Sequence, residues 1–224
     1  MRGPRRRARR RFTWLLVVLV VLGAGYVAAD LATRSIAEEQ LTHAIRKKTH
    51  AGEAVVRVDS IPFLFDLVVS GSVGQIDVGL LDVPAGRLDL ARIEVSANNL
   101  RIDRHYLFDR RKIRVTAISS AKVQVTVTAG ELSRAIGHAV SLSPPNTIRV
   151  AIGPVSVPAT IAVTSGHFLT FSALGLRTFV IDLTSVAVVP RCTMHLTVRN
   201  GSATLACRVS PVPAFVISAL SGGS

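Results

Sequence analysis

The sequence of 224 residues is poor in aromatic residues, in cysteine and in acidic residues. Aromatic residues make up 5% of the chain, too few for the stacking surfaces that bind single-stranded nucleic acids. Two cysteines cannot build a disulfide-dense small domain or a four-cysteine zinc site. Apolar residues reach 49% and charged residues 18%, a balance that excludes a disordered chain.

Recognisable catalytic and metal-binding motifs are also missing. The sequence contains no G-x-S-x-G, no P-loop, no G-x-G-x-x-G and no H-E-x-x-H. Its six histidines are scattered, without a pair at the spacing of metal ligands. We therefore expect a protein that is not an enzyme, with no cofactor, no metal and no catalytic residues. The alternative is a hydrolase whose acids and histidines converge only in the folded state.

Basic residues are concentrated directly before an apolar run. Seven arginines lie in residues 1–11, and Phe12 to Ala29 are uncharged. A helix of this length spans roughly 27 Å, close to the ~30 Å hydrocarbon core of a bilayer. We predict a transmembrane anchor over residues 12–29, with Trp14 and Tyr26 at the two interfaces and residues 1–11 in the cytoplasm. The alternative is a signal peptide that is cleaved, leaving a secreted domain. Because the densest basic run precedes the anchor, no nucleic-acid partner is expected.

After the anchor, helical spacing gives way to strand-like alternation. Long runs rich in Val, Ile and Thr predict antiparallel sheet, and Thr128 to Glu131 has the spacing of a helix capping box. The predicted fold class is α+β, mainly β, with Ser143-Pro144-Pro145-Asn146 as a boundary between two halves. We predict an amphipathic helix over residues 30–52, a β-rich domain over residues 53–210 and a C-terminal tail over residues 211–224. The two halves of the β-rich domain are residues 53–142 and 147–210.

Asn200-Gly201 predicts a two-residue hairpin turn between two alternating runs. In that hairpin Cys192 and Cys207 share one face as diagonal neighbours, and a small change of register would place them opposite each other. Outside the cytoplasm this pair is predicted to form a disulfide. The alternative is a pair of buried free thiols, which behave as small apolar groups.

Two segments carry the candidate binding residues. Residues 61–69 form an apolar stretch that breaks strand alternation, as a buried connector or the apolar mouth of a ligand cavity would. The lipid-cavity candidates in it are Ile61, Phe63, Leu64, Phe65 and Leu67. Residues 101–114 hold six basic residues around an apolar tip, which suits an anionic membrane surface; the alternative is a solvated loop. The candidates for headgroup or membrane-surface contact are Arg104, Arg110, Arg111 and Lys112, and those for the membrane tip are Tyr106, Leu107 and Phe108.

Several segments also occur in a familiar order. They are the helix ATRSIAEEQL, the Ile-Pro-Phe-Leu segment, a Gly followed by VGQIDVGLLDV, the strand RLDLARIEVSANNLRI, and VQVTVTAGELSRAIG. This order resembles the LmeA-like phospholipid-binding family of actinobacterial envelope proteins. The resemblance implies a non-catalytic protein that binds membrane phospholipid outside the cytoplasmic membrane and serves lipid or lipoglycan maintenance in the cell envelope. It also implies an elongated, curved antiparallel sheet with helices that shelters acyl chains, as in tubular lipid-binding folds. The alternative is a scaffold module of the envelope that binds no lipid.

Overall fold

The structure is a computed structural model that describes residues 5–60, 62–110, 114–164, 168–173, 178–182 and 192–212. A long N-terminal helix, α1 (Arg5–Thr49), precedes a mainly β domain built from antiparallel strands. The predicted fold class is therefore confirmed. The helix predicted after the apolar run continues α1 without a break.

Eleven strands and three short helices follow α1 in the described residues. In chain order they are β1 (Glu53–Asp59), α2 (Phe63–Phe65, continued by a π-helical turn at Asp66–Ser70), β2 (Ser72–Ala85), β3 (Leu88–Ile102), α3 (Arg104–Arg110), β4 (Val115–Thr128), α4 (Ala129–Ile136), β5 (Val140–Ser143), β6 (Thr147–Ile152), β7 (Val155–Thr164), β8 (Phe168–Ala173), β9 (Phe179–Asp182), β10 (His195–Arg199) and β11 (Ser202–Val209). One sheet has the order β1-β2-β3-β4-β11-β10, and the other has the order β5-β6-β7-β8-β9.

The two sheets share one apolar core. One face of the six-stranded sheet, called its inner face here, is covered at one end by the five-stranded sheet. A row of directly paired residues at that end is fully buried: Leu80, Ile93, Val125 and Leu205. These side chains belong to the same cluster as Leu142, Val150, Leu169 and Phe171 of the second sheet. Full burial of one such side chain contributes about 1.5–3 kcal/mol, so this core holds the sheets together.

Three local predictions are confirmed in the β domain. The Thr128 hydroxyl accepts from the Glu131 amide, and the Glu131 carboxylate accepts from the Thr128 amide, which completes the capping box at α4. The hairpin of β10 and β11 turns at Asn200-Gly201, with Val198 opposite Ala203. Cys192 and Cys207 form the predicted disulfide.

The second half of α1 covers the edge of the six-stranded sheet. In the described residues β1 pairs only with β2, so the outward N–H groups of Val56 and Val58 have no strand to donate to. The Thr42 hydroxyl accepts from the Val56 amide at 3.2 Å, and the Glu38 carboxylate accepts from the Val58 amide at 2.8 Å. Edge groups paired in this way are not available to another chain. The contacts also join the apolar helix directly to the sheet.

Glu38 makes this junction dependent on pH. Burial by itself raises the pKa of Glu38, but the hydrogen bond from the Val58 amide, the hydrogen bond from Arg34 and the charges of Arg34 and Arg57 together lower that pKa. A group with a lowered folded-state pKa stabilises the fold fully above its unfolded-state pKa, and this stabilisation is lost as the pH falls through the folded-state pKa.

We therefore expect the protection of the Val58 amide against hydrogen exchange to decrease as the pH falls below the usual titration range of a glutamate carboxyl, because the pKa of Glu38 is lowered. The Glu38→Gln variant should show weaker protection near neutral pH and little change on acidification, since glutamine does not titrate. Hydrogen exchange measured by mass spectrometry, with rates corrected for the intrinsic effect of pH, checks both results. A protection factor in the native chain that is constant through this range would contradict the expectation.

Candidate functional site

The apolar segment after β1 is held by a carboxylate of α1. Asp30 directly follows the uncharged run and is buried. Its Oδ2 accepts from the Phe63 amide at 3.2 Å and its Oδ1 accepts from the Leu64 amide at 2.6 Å. These amides lie in the first turn of α2, where backbone donors have no acceptor within the helix. Asp30 thus caps α2 from a distant element and fixes it beside the end of the apolar run.

The other end of this segment is held by α3. The Arg104 guanidinium donates from Nη1 to the carbonyl oxygens of Val68 and Val69. Gly71 ends the segment in a left-handed conformation, with φ of +64°. A Cβ at Gly71 would lie 3.0 Å from Cγ of Arg104, so glycine also lets the arginine side chain approach the backbone closely. The segment is therefore fixed at both ends.

The lipid-cavity candidates lie in different environments. Phe63 is buried and Leu67 is half-buried, and both pack in a small apolar cluster against the inner face of the six-stranded sheet. Leu64 is half-buried, whereas Phe65 is 53% exposed. Ile61 lies outside the described residues. Part of the segment thus packs on the core, and part forms an exposed apolar surface.

The basic stretch of residues 101–114 contains the helix α3, so the alternative of a solvated loop does not describe residues 104–110. Asp103 caps α3 by accepting from the Tyr106 amide at 3.1 Å, which explains why a helix begins there. Arg104 is exposed, and half-buried Tyr106 has the Arg114 guanidinium 5.7 Å from its ring centre. The remaining candidates fall in α3 (Leu107, Phe108 and Arg110) or outside the described residues (Arg111 and Lys112).

An apolar row on the inner face was not found from the sequence. Ile76 pairs with Ala97, Ala97 with Ala121, and Ala121 with Val209, so the row crosses four neighbouring strands. We call these four residues the alanine row. All four side chains are half-buried, unlike the fully buried row at Leu80 under the second sheet. The two central members of the row are alanines, so the side chains at its centre are smaller than those at its ends.

On its α2 side the alanine row continues into a small apolar cluster. The buried members of this cluster are Val58, Phe63, Val73, Leu100, Ile118 and Val212. Half-buried Leu67, Ile102 and Val115 pack against them. The aliphatic inner face therefore extends from the region under the second sheet to α2.

The outer face of the same sheet carries concave regions of a different character. A groove of about 480 Å³ is lined by charged side chains of both signs, among them Arg57, Asp77, Arg92, Glu94 and Lys122. A neighbouring groove of about 630 Å³ adds Thr126, Thr197, Arg199 and Thr204. Displacing water from charged groups by an acyl chain is costly. The aliphatic inner face therefore suits acyl chains better than these charged grooves.

The acidic side chains that the structure describes are hydrogen-bonded or exposed to solvent. Among these residues, no three His, Cys, Asp or Glu side chains lie close enough together to hold a metal ion. Buried Asp30 and Glu131 cap α2 and α4, respectively.

Helix α1 has the properties of a membrane span. From Val17 onward it is long and apolar enough to cross a bilayer, with a mean hydropathy of 1.6. Large apolar side chains of this part, such as Leu19 and Leu22, are exposed rather than packed on the β domain. A signal sequence near the N-terminus also meets these two criteria of length and hydropathy.

The structure thus defines a mainly β domain with an aliphatic inner face that follows one candidate membrane helix. The model of the family described as LmeA-like phospholipid-binding matches residues 28–223. The chain belongs to this family, which confirms the resemblance found in its sequence. No curated protein and no solved structure matches the chain. The matched range includes Asp30, α2 and the alanine row, but not the arginine-rich start.

Proposed function

We propose that the protein is anchored by α1 in the cytoplasmic membrane and binds a phospholipid with its extracytoplasmic β domain. The acyl chains lie along the aliphatic inner face of the six-stranded sheet. The protein acts as a non-catalytic component in lipid or lipoglycan maintenance of the cell envelope. The proposal rests first on the alanine row, a half-buried aliphatic surface within a domain of a phospholipid-binding family.

The dimensions of the alanine row support this assignment. Three strand spacings of about 4.8 Å make the row about 14 Å long, which accommodates a large part of an acyl chain. Each methylene buried there contributes about 0.8 kcal/mol. The two small side chains, Ala97 and Ala121, provide the depth that Leu or Phe would fill.

Basic residues around α3 are proposed to meet the anionic headgroup. Arg104 uses Nη1 to hold α2, and the guanidinium has further N–H groups that can donate to a phosphate. The other proposed headgroup residues are Arg110, Arg111 and Lys112, with Tyr106, Leu107 and Phe108 at the membrane surface. A basic patch near a bilayer is attracted to anionic lipid.

Two features support the extracytoplasmic placement. Arginines before the apolar run favour a cytoplasmic N-terminus, which places the β domain on the opposite side. The Cys192–Cys207 disulfide is typical of an oxidising compartment.

The test of lipid binding is native mass spectrometry of the full chain, produced in a host with abundant membranes and followed by lipid extraction. We expect one phospholipid per chain that survives extensive washing in detergent. A protein mass without lipid, combined with no uptake from phospholipid vesicles, would contradict the proposal and favour an envelope scaffold.

A further inference from the structure

We propose that the exposed apolar part of α2 and its π-helical turn inserts into the headgroup region of the membrane beside α1. This part consists of Phe65, Val68 and Val69 and is called the interfacial foot here. It sets the height and tilt of the β domain on the bilayer. The proposal requires the anchor but not the lipid-binding function, because a scaffold domain could rest on the membrane in the same way.

The contacts of Asp30 determine the depth of the foot. A helical run of 18 residues, from Phe12 to Ala29, spans most of a hydrocarbon core of about 30 Å. Asp30 lies one residue, or about 1.5 Å, beyond this run. The headgroup layer on each side is roughly 5–7 Å thick. Because Asp30 binds the amides of Phe63 and Leu64, the foot lies at the depth of this layer.

The exposed apolar side chains of the foot are better suited to the interface between membrane and water than to water alone. Phe65, Val68 and Val69 are 53%, 46% and 52% exposed and fall within five residues of the chain. In the described strands, Val55, Val155 and Val180 are the large apolar residues with comparable exposure, and they lie on different strands. A cluster of exposed apolar side chains marks an interaction surface, whereas scattered ones are ordinary.

The backbone groups at both ends of the foot also have hydrogen-bond partners within the protein, as a less polar surrounding requires. Polar backbone groups that leave water need partners within the protein. Asp30 accepts from two amides in the first turn, and Arg104 donates to two carbonyl groups near the end. The exposed cations Arg101 and Arg114 lie on the flanking strand and loop, where they can meet anionic headgroups.

Tryptophan fluorescence in proteoliposomes tests the position of the foot. Trp14 is the only tryptophan of the chain, so a Trp14→Phe background is free of other indole emission. Phe65→Trp and Val68→Trp place single reporters in the foot. The matched control is Val155→Trp, a position of similar exposure on the five-stranded sheet. The liposomes contain phosphatidylglycerol and phosphatidylcholine with acyl chains brominated near the headgroup.

We expect emission from positions 65 and 68 to be shifted to shorter wavelength and quenched at least twofold, and emission from position 155 to be unaffected. Equal, unquenched emission from all three positions would overturn the proposal. Quenching at position 65 that persists in detergent with one equivalent of brominated lipid would assign the residue to a bound-lipid site and also overturn it. Unquenched emission from positions 65 and 68 in a chain that still carries lipid would refute the insertion of the foot and leave the proposed lipid binding unaffected.

Discussion

Replacing Asp30 with alanine is expected to detach α2 from α1 and to lower the free energy of unfolding by about 4 kcal/mol. The substitution leaves the amides of Phe63 and Leu64 without their acceptor. A buried polar group that loses its partner costs about 1–3 kcal/mol, and here two groups lose a charged partner together. Urea unfolding of the full chain in detergent, followed by the β-sheet signal in circular dichroism, measures the loss.

Asp59→Ala is the matched control for this substitution. Asp59 also pairs with α1, through Arg34 at 3.2 Å, but its side chain is 58% exposed. Exposed ion pairs contribute about 0–1 kcal/mol, so the control should change stability little. Asp30→Asn retains one acceptor oxygen and should give an intermediate loss. Equal stabilities of the Asp30→Ala and Asp59→Ala variants would show that Asp30 does not hold α2.

Filling the alanine row is expected to weaken phospholipid binding by roughly 200-fold. In the Ala97→Phe/Ala121→Phe double variant, two rings replace the small side chains at the centre of the row. If they displace about four methylenes of an acyl chain, the loss is about 3 kcal/mol, which corresponds to this factor. Competition with a fluorescent phospholipid and lipid extraction of the purified chain measure the change.

The sheet itself offers a matched control on its other face. Ser96 pairs directly with Lys122, and these two residues are the chain neighbours of Ala97 and Ala121. Both line the charged groove on the outer face. The Ser96→Phe/Lys122→Phe variant adds the same rings to the same strands and should retain lipid. Equal loss of lipid in both double variants would place the acyl chains elsewhere or indicate a general disturbance of the sheet.

Features with a local sequence pattern were predictable. The uncharged run predicts the apolar helix, the Thr128 and Glu131 pair predicts the capping box, and Asn200-Gly201 predicts the hairpin. The disulfide follows from that hairpin because its register places the cysteines on one face. Residues 147–157 form one Val- and Ile-rich run in the sequence and predict a single strand. In the structure, Gly153, with φ of +61°, and Pro154 form a turn that separates β6 from β7.

The candidate site depends on contacts that local patterns do not specify. Thirty-three residues separate Asp30 from Phe63, and their contact arises only when α1 lies along β1. Strict alternation places Leu80 and Val83 on opposite faces, yet both are buried, because Asp82 adopts a positive φ of 52° between them. Asn99, with φ of 50°, produces the same change between Ala97 and Leu100. The alanine row itself depends on the pairing registers of four strands, which no local pattern specifies.

The unbroken passage of α1 from the apolar run to the sheet edge limits how far the β domain can travel. An anchored protein that carries a ligand over a distance needs a flexible linker between its anchor and its binding domain. The reach of such a linker grows with the number of flexible residues. Here Asp30, Glu38 and Thr42 join the helix to the domain within four helical turns of the end of the uncharged run. If α1 is the membrane anchor that we propose, the β domain stays close to that membrane, and a lipid bound by it would reach a distant site only through a second lipid-binding protein.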